Sequence, residues 1–141
     1  MSNTRFSVAV HVLTVLHLHD GEPVSSSVLA GSVGTNPVVI RKLLAALTQA
    51  SLVTIDRGTA GGARLLRSAS AISLADVLDA VSEVDDMLKI HTSPNPACPV
   101  GRSIGGILDV ILQEGFDAFR DALARYTVAD LVGSVQQRER A

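Results

Sequence analysis

At 141 residues, 47% hydrophobic and 3% aromatic with no tryptophan, the chain suits one aliphatic-cored domain with an extension rather than two independent cores. A formal charge of −2 hides an asymmetry: residues 1–70 carry six Lys/Arg against three Asp/Glu, a balance of +3, and residues 71–141 carry six against eleven, a balance of −5. No apolar run approaches the ~20 residues of a membrane span, and the single cysteine excludes an intramolecular disulfide framework.

Residues 5–18 predict a first helix, with Phe6, Ala9, Val10, Leu13 and Leu16 on one face and Asp20-Gly21-Glu22-Pro23 ending it. Ser25 or Ser26 caps a short second helix through about Val33, and Gly34-Thr35 turns the chain into a third. Asn36 is a favoured N-cap, and Pro37 suits the first helical turn, where its missing N–H costs nothing. Ile40, Leu43, Leu44 and Leu47 then form one apolar stripe, leaving Val38, Val39, Arg41, Lys42, Ala45 and Gln49 on the opposite face. A β-rich run from Leu52 to Asp56, the glycine-laden turn Arg57 to Arg64 and the apolar Leu65-Leu66 predict a two-stranded hairpin with arginines at its tip. A polar-faced helix followed by such a hairpin is the sequence form of a winged helix-turn-helix, and its implied partner is duplex DNA. The glycines are not a phosphate-binding loop, because no Gly-Lys-Ser/Thr follows them and they do not open a helix.

After the wing, Ser73-x-x-Asp76 predicts a capping box for a helix that turns Leu74, Val77, Leu78 and Val81 inward. The stretch from Val84 to Pro99 holds Asp85-Asp86, Pro94, Pro96 and Pro99, and predicts a loop of a length that is uncommon unless functional. From Pro99 to about Tyr126 runs the longest periodic segment, with Ile104, Ile107, Leu108, Ile111 and Leu112 followed by Phe116, Phe119, Leu123 and Tyr126. At ~1.5 Å per residue such a helix is roughly 40 Å long, too long to bury against one small domain. Its heptad-like seam predicts a two-fold dimer, which also suits a modest +3 per subunit sharing one DNA site. Gly105, Gly106 and Gly115 weaken this helix and mark either close backbone approach or a local break. Thr127-x-x-Asp130 caps a short last helix, and Gln136 to Ala141 is expected as a frayed polar tail.

Among residues that carry chemistry, Cys98 stands first. Pro99 at the first helical position makes Cys98 the N-cap, where free N–H groups and the helix dipole favour a thiolate. A buried, inert thiol is the competing reading. His17 and His19 lie two apart on a helix end and diverge, His11 packs or caps within the first helix, and His91 is a loop residue. No metal site is expected from them. Asp85-Asp86 is expected to face solvent, and with no nucleophile–base pair, metal-ligand set or cofactor fingerprint, an enzyme is not expected.

The order Arg5-Phe6-Ser7-Val8-Ala9-Val10, Asn36-Pro37-Val38-Val39-Ile40-Arg41-Lys42-Leu43-Leu44, Ala50-Ser51-Leu52-Val53, Arg57-Gly58-x-x-Gly61-Gly62-Ala63-x-Leu65 and Ile72-Ser73-Leu74-x-Asp76-Val77 resembles the Rrf2 family. These are bacterial winged-helix regulators of the IscR, NsrR and CymR kind, and the similarity runs from about Arg5 to about Val132. The resemblance implies a sensor loop between wing domain and dimer helix, close to the partner's DNA-binding domain, with Cys98 as a redox sensor. The best-known members hold an iron–sulfur cluster mainly through three loop cysteines. This chain has only Cys98, so it is similar to the type lacking that triplet, and no cofactor is expected. A mixed-ligand cluster using His91 or the partner's His11 is the departure from that expectation.

The expected fold is mainly α: a winged helix-turn-helix with a two-stranded wing over residues 1–83, a sensor loop over 84–99, a dimerisation helix and C-terminal helix over 100–135, and a tail over 136–141. Ser26, Thr35, Asn36, Val38, Val39, Arg41 and Lys42 form the DNA-binding set of the helix-turn-helix. Arg57, Gly58, Thr59, Gly61, Gly62 and Arg64 form that of the wing, with Arg57 entering the minor groove and Arg64 meeting phosphate. The expected function is a dimeric, sequence-specific regulator in the cytoplasm, a repressor switched by Cys98, whose partners are double-stranded DNA, a second copy and a small thiol or other effector. The alternatives are control by a small ligand or partner protein, and a protein-interaction module without DNA.

Overall fold

The computed structural model describes residues 4–82 and 87–141. Among the described residues, six α-helices and one hairpin appear in the order α1 (Arg5–Leu18), α2 (Ser26–Val33), α3 (Pro37–Gln49), β1 (Val53–Asp56), β2 (Gly62–Leu65), α4 (Leu74–Val81), α5 (Pro99–Ala124) and α6 (Val128–Glu139), with a 3-10 turn at Ala69–Ala71 before α4. The mainly helical class and the two-stranded wing are as expected. Asp85-Asp86, and with them the start of the expected loop, lie outside the described residues.

Local chemistry sets each boundary. Ser25, not Ser26, caps α2, its hydroxyl accepting the Val28 N–H at 3.2 Å. Gly34 ends α2 in the left-handed region at φ 84°, a conformation that costs glycine little. The N–H groups of Gly34 and Thr35 both donate to the Ala30 carbonyl, at 2.9 and 3.0 Å. Asn36 then opens α3 by accepting the Val39 N–H at 3.1 Å.

The core is aliphatic. Ile40, Leu43, Leu44 and Leu47 of α3 pack with Val12, Leu13 and Leu16 of α1, Leu29 of α2, and Ile72 and Val77. The inward face of α1 is the expected one made wider: Ala9, Leu13 and Leu16 are buried and Phe6 and Val10 are half-buried against the core, with Val12 buried as well. Apolar residues occur all round this helix, so periodicity alone did not set the extent of the face.

The wing is antiparallel, pairing Val53 with Leu65, Thr54 with Arg64, Ile55 with Ala63 and Asp56 with Gly62. Val24 extends it by exchanging backbone bonds with Ala63 at 3.0 and 2.8 Å. The starts of α4 and α6 form a second, near-symmetric junction. Both carry capping boxes, Ser73 with Asp76 and Thr127 with Asp130. The first N–H of each helix donates across the gap, Leu74 to the Tyr126 carbonyl at 2.9 Å and Val128 to that of Ile72 at 3.0 Å. This ties α6 to the wing domain, where Val128 and Val132 are buried.

α5 is unbroken over its 26 residues despite the glycines. Gly105 approaches the Ile90 side chain, where an added Cβ would lie 3.5 Å away, whereas Gly106 and Gly115 meet nothing within 4 Å. Only Phe116 of this helix is buried. Arg120 anchors it to α4 through a two-pronged ion pair with Asp79. The last helix runs through Glu139, replacing the expected frayed tail from Gln136, because the Thr127–Asp130 box and the docking of Val128 and Val132 hold its start.

Candidate nucleic-acid interface

One face of α3 stands clear of the core. Val38 is 51% and Val39 43% exposed, and Arg41 and Lys42 are exposed beside them. Three of them, Val39, Arg41 and Lys42, divide between two clefts. Val39 and Lys42 line a narrow one against Thr4, Arg5 and Val8 at the start of α1. Arg41 lines a broader one with Ala45, Thr48 and Gln49, walled by Ser26 from α2 and Ile55 from β1. The structure therefore brings Ser26 to Arg41, as the expected set requires, and adds Ala45, Thr48, Gln49 and Ile55. Helical spacing from Arg41 points to Ala45 and Gln49. Ile55 is different: it shares a strand face with buried Val53, but the hairpin has run past the core edge and leaves it 45% exposed.

Two members of the set do local work. The Asn36 carbonyl oxygen is engaged in the cap of α3, and Thr35 is half-buried with its N–H bonded to Ala30.

In the wing, Arg57, Gly58 and Thr59 are exposed at the tip. Gly58 has φ 104° and open space around it, so the backbone there can approach a phosphate closely. Gly61 and Gly62 have another task. A Cβ at Gly61 would lie 2.2 Å from the Asp56 carbonyl oxygen, and one at Gly62 would lie 2.4 Å from the Val24 backbone. Their bare backbones are needed to close the hairpin and seat it on Val24.

Arg64, expected as a phosphate contact, is engaged with Asp56. Its Nε donates to Asp56 Oδ2 and its Nη2 to Asp56 Oδ1, both at 2.9 Å. These bonds hold the Asp56 carboxyl below its ordinary pKa, against a smaller opposing effect of desolvation. Arg64 thus braces the wing from within, while Arg57 makes no side-chain hydrogen bond or ion pair among the described residues.

Cys98 is exposed and is the N-cap of α5, with Pro99 following, as expected. Its side chain makes no capping bond, and its N–H donates to the Asn95 carbonyl at 3.2 Å. The loop end lies close on the helix: a Cβ at Gly101 would meet the Asn95 carbonyl oxygen at 2.4 Å, and Arg102 donates to the Pro96 carbonyl at 3.1 Å. His91 is exposed. Among the described residues, no group of three His, Cys, Asp or Glu side chains is placed to hold a metal ion, and no helix is long and apolar enough to cross a membrane.

Residues 2–134 match the Rrf2 family model, described as an iron-dependent transcriptional regulator. The chain belongs to the Rrf2 family. It is 36% identical over 132 residues to the HTH-type transcriptional regulator YwnA of Bacillus subtilis, covering 94% of this chain and 97% of that protein. A solved structure described as a DNA binding protein shares 32% identity and a TM-score of 0.71, covering 90% of this chain and 97% of its own. The cysteine regulator CymR of B. subtilis is alike in fold, with a TM-score of 0.69 at 20% identity over 95% of this chain and 97% of its own. This Rrf2 protein is thus a transcriptional regulator and not an enzyme.

Proposed function

We propose that this Rrf2 protein is a dimeric, sequence-specific DNA-binding repressor whose affinity follows the redox state of Cys98. The observation that carries the DNA reading is the exposed face of α3, where Arg41 lines a cleft with Ser26 and Ile55 and Lys42 lines a second against α1, with Arg57 exposed at the wing tip. α3 presents Val38 and Val39 to thymine methyls and Arg41 and Lys42 to guanine edges or phosphates in the major groove. The wing tip carries Arg57 into the adjoining minor groove. The relative described as a DNA binding protein supports the same reading.

The dimer rests on α5. Ile104, Ile107, Leu108 and Ile111 are 40%, 55%, 38% and 56% exposed, a continuous apolar seam on a helix that the wing domain does not cover. A second copy packed on this seam pairs two reading heads on one pseudo-palindromic site. A resident iron–sulfur cluster does not suit the donor set, since one thiol stands where the family's clusters use mainly three, and we propose that the protein acts without one. Instead, peroxide converts the Cys98 thiolate to a sulfenic acid, with loss of hydroxide. A second thiol, from a small molecule or the partner's Cys98, then displaces water to form a disulfide.

The test is selection of genomic fragments on the purified protein, followed by fluorescence anisotropy of retained and scrambled duplexes over a salt series. Retained fragments are expected to bind at least about a thousandfold more tightly than scrambled ones. Equal affinity for both overturns sequence-specific regulation.

A further inference from the structure

α1 is apolar on two sides. One side faces the core, while Val10 and Val15, half-buried at its margin, and the exposed Leu18 wall a groove closed on its far side by Leu131, Val135 and Arg138 of α6. The groove encloses about 710 Å³, within the range of roughly 300–1,000 Å³ typical of small-molecule sites. An α-helix, ~10 Å across with side chains, would fill that volume in less than two turns, so the space favours a small molecule over a docked helix.

The polar groups at the rim are uneven in sign. Among the described residues no carboxylate lines the groove, whereas the Arg138 guanidinium does, with His11 beside it as a hydrogen-bonding group. Thr14 spends its hydroxyl on the Val10 carbonyl at 2.8 Å. Arg138 makes no side-chain ion pair among the described residues. His11 Nε2 lies 2.9 Å from Ser32 Oγ, which links the groove to α2 two residues before the left-handed Gly34 that leads into α3.

We infer that this groove is an effector site for a small organic carboxylate with an apolar body. The body lies between α1 and α6, Arg138 grips the head group through paired N–H donors, and His11 carries occupancy to α2 and so to the reading helix. The control of DNA binding rests on the regulator reading above; the binding site itself does not.

The absence of tryptophan leaves a clear window for 1-anilinonaphthalene-8-sulfonate fluorescence, with decanoate and decanol as competitors. Decanoate is expected to displace the dye from the intact protein roughly tenfold more effectively than decanol. Arg138→Gln should erase that difference, and Ser134→Phe, which fills the groove, should abolish displacement while the melting temperature stays that of the parent. Equal displacement by both competitors in the parent, or an unchanged Ser134→Phe variant, overturns the site. So does dye binding that appears only on dilution to monomer, because a second copy then fills the groove. In a DNA anisotropy arm, decanoate should shift affinity in the parent and not in His11→Gln; no shift in the parent overturns the coupling. Failure of every duplex to bind would sink the regulator reading while dye displacement still reported on the groove.

Discussion

Arg64 reaches diagonally across the wing to close on Asp56, each of its two donors 2.9 Å from a different carboxylate oxygen. Asp56 itself pairs with Gly62, and Arg64 with Thr54, so the ion pair spans the diagonal of the hairpin just below its tip. A charge held this way shapes the wing. A phosphate would have to compete with Asp56 for it.

The first prediction separates the two wing arginines. Arg57→Ala should weaken DNA binding, reduce the preference for A·T-rich sequence under the wing, and lower the slope of log affinity against log salt by up to about 0.9, because one inserted charge no longer displaces a counterion. Arg64→Ala and Asp56→Asn should weaken binding to similar extents with the slope unchanged, because both loosen the same hairpin. Because Arg64 lowers the Asp56 pKa, the brace contributes fully above the ordinary carboxylate value and is lost as pH falls through the depressed folded value. An NMR titration of the Asp56 carboxyl should therefore show no change between pH 5 and 8, with Arg64→Ala raising its midpoint.

Arg41 provides the second prediction. If its guanidinium reads a base from the cleft it shares with Ser26 and Ile55, Arg41→Ala should cost about 1–3 kcal/mol and relax preference at one position of each half-site. Competition with single-base variants of the selected fragment measures this. A loss that is uniform across all sequences would reduce Arg41 to a backbone contact.

The third concerns the exposed seam of α5. Ile107→Glu combined with Ile111→Glu should yield a monomer by sedimentation velocity at concentrations where the parent is a dimer. Both residues are more than half exposed in one chain, so the wing domain should keep its melting behaviour apart from losses due to dissociation. A variant that stays dimeric would place the interface elsewhere.

Two glycines should respond in opposite directions. Gly62 has φ 158° and leaves no room for a Cβ against the Val24 backbone, so Gly62→Ala should destabilise by about 1–3 kcal/mol. Gly133 lies within α6 with nothing within 4 Å of an added Cβ. Gly133→Ala should stabilise by roughly 1 kcal/mol, the helix-propensity difference. Urea denaturation at fixed protein concentration reports both.

The fifth prediction tests Cys98. Peroxide should weaken DNA binding by the parent, and a thiol reductant should restore it. Cys98→Ser should bind equally in both conditions. Mass spectrometry of the oxidised parent should show an added oxygen, a small-thiol adduct or a covalent dimer. Identical binding by oxidised and reduced parent would remove Cys98 from control.

The features read directly from the sequence are those with local causes. Asn36-Pro37 starting α3, the stripe from Ile40 to Leu47, the capping boxes at Ser73 and Thr127 and the N-cap position of Cys98 each depend on a few neighbours and on backbone valence. Their positions survived intact for that reason. So did the exposed face of α3, which follows from which side the leucines occupy.

What depended on contacts between distant segments was not legible. Val12 was not assigned to the buried side of α1 because that helix is apolar all round, and only the packing of α3 and α4 decides how far its core face extends. The ion pair of Arg64 with Asp56 depends on hairpin register, and the steric purpose of Gly61 and Gly62 on the approach of Val24 and the Asp56 carbonyl, neither of which the local sequence displays. Ile55 escaped notice because strand alternation assigns a side but not where the core ends. Local hydrogen bonding and propensity specify elements and their caps; which charge is spent internally and which remains for a partner is settled only when separated segments meet, since both outcomes satisfy the same local pattern.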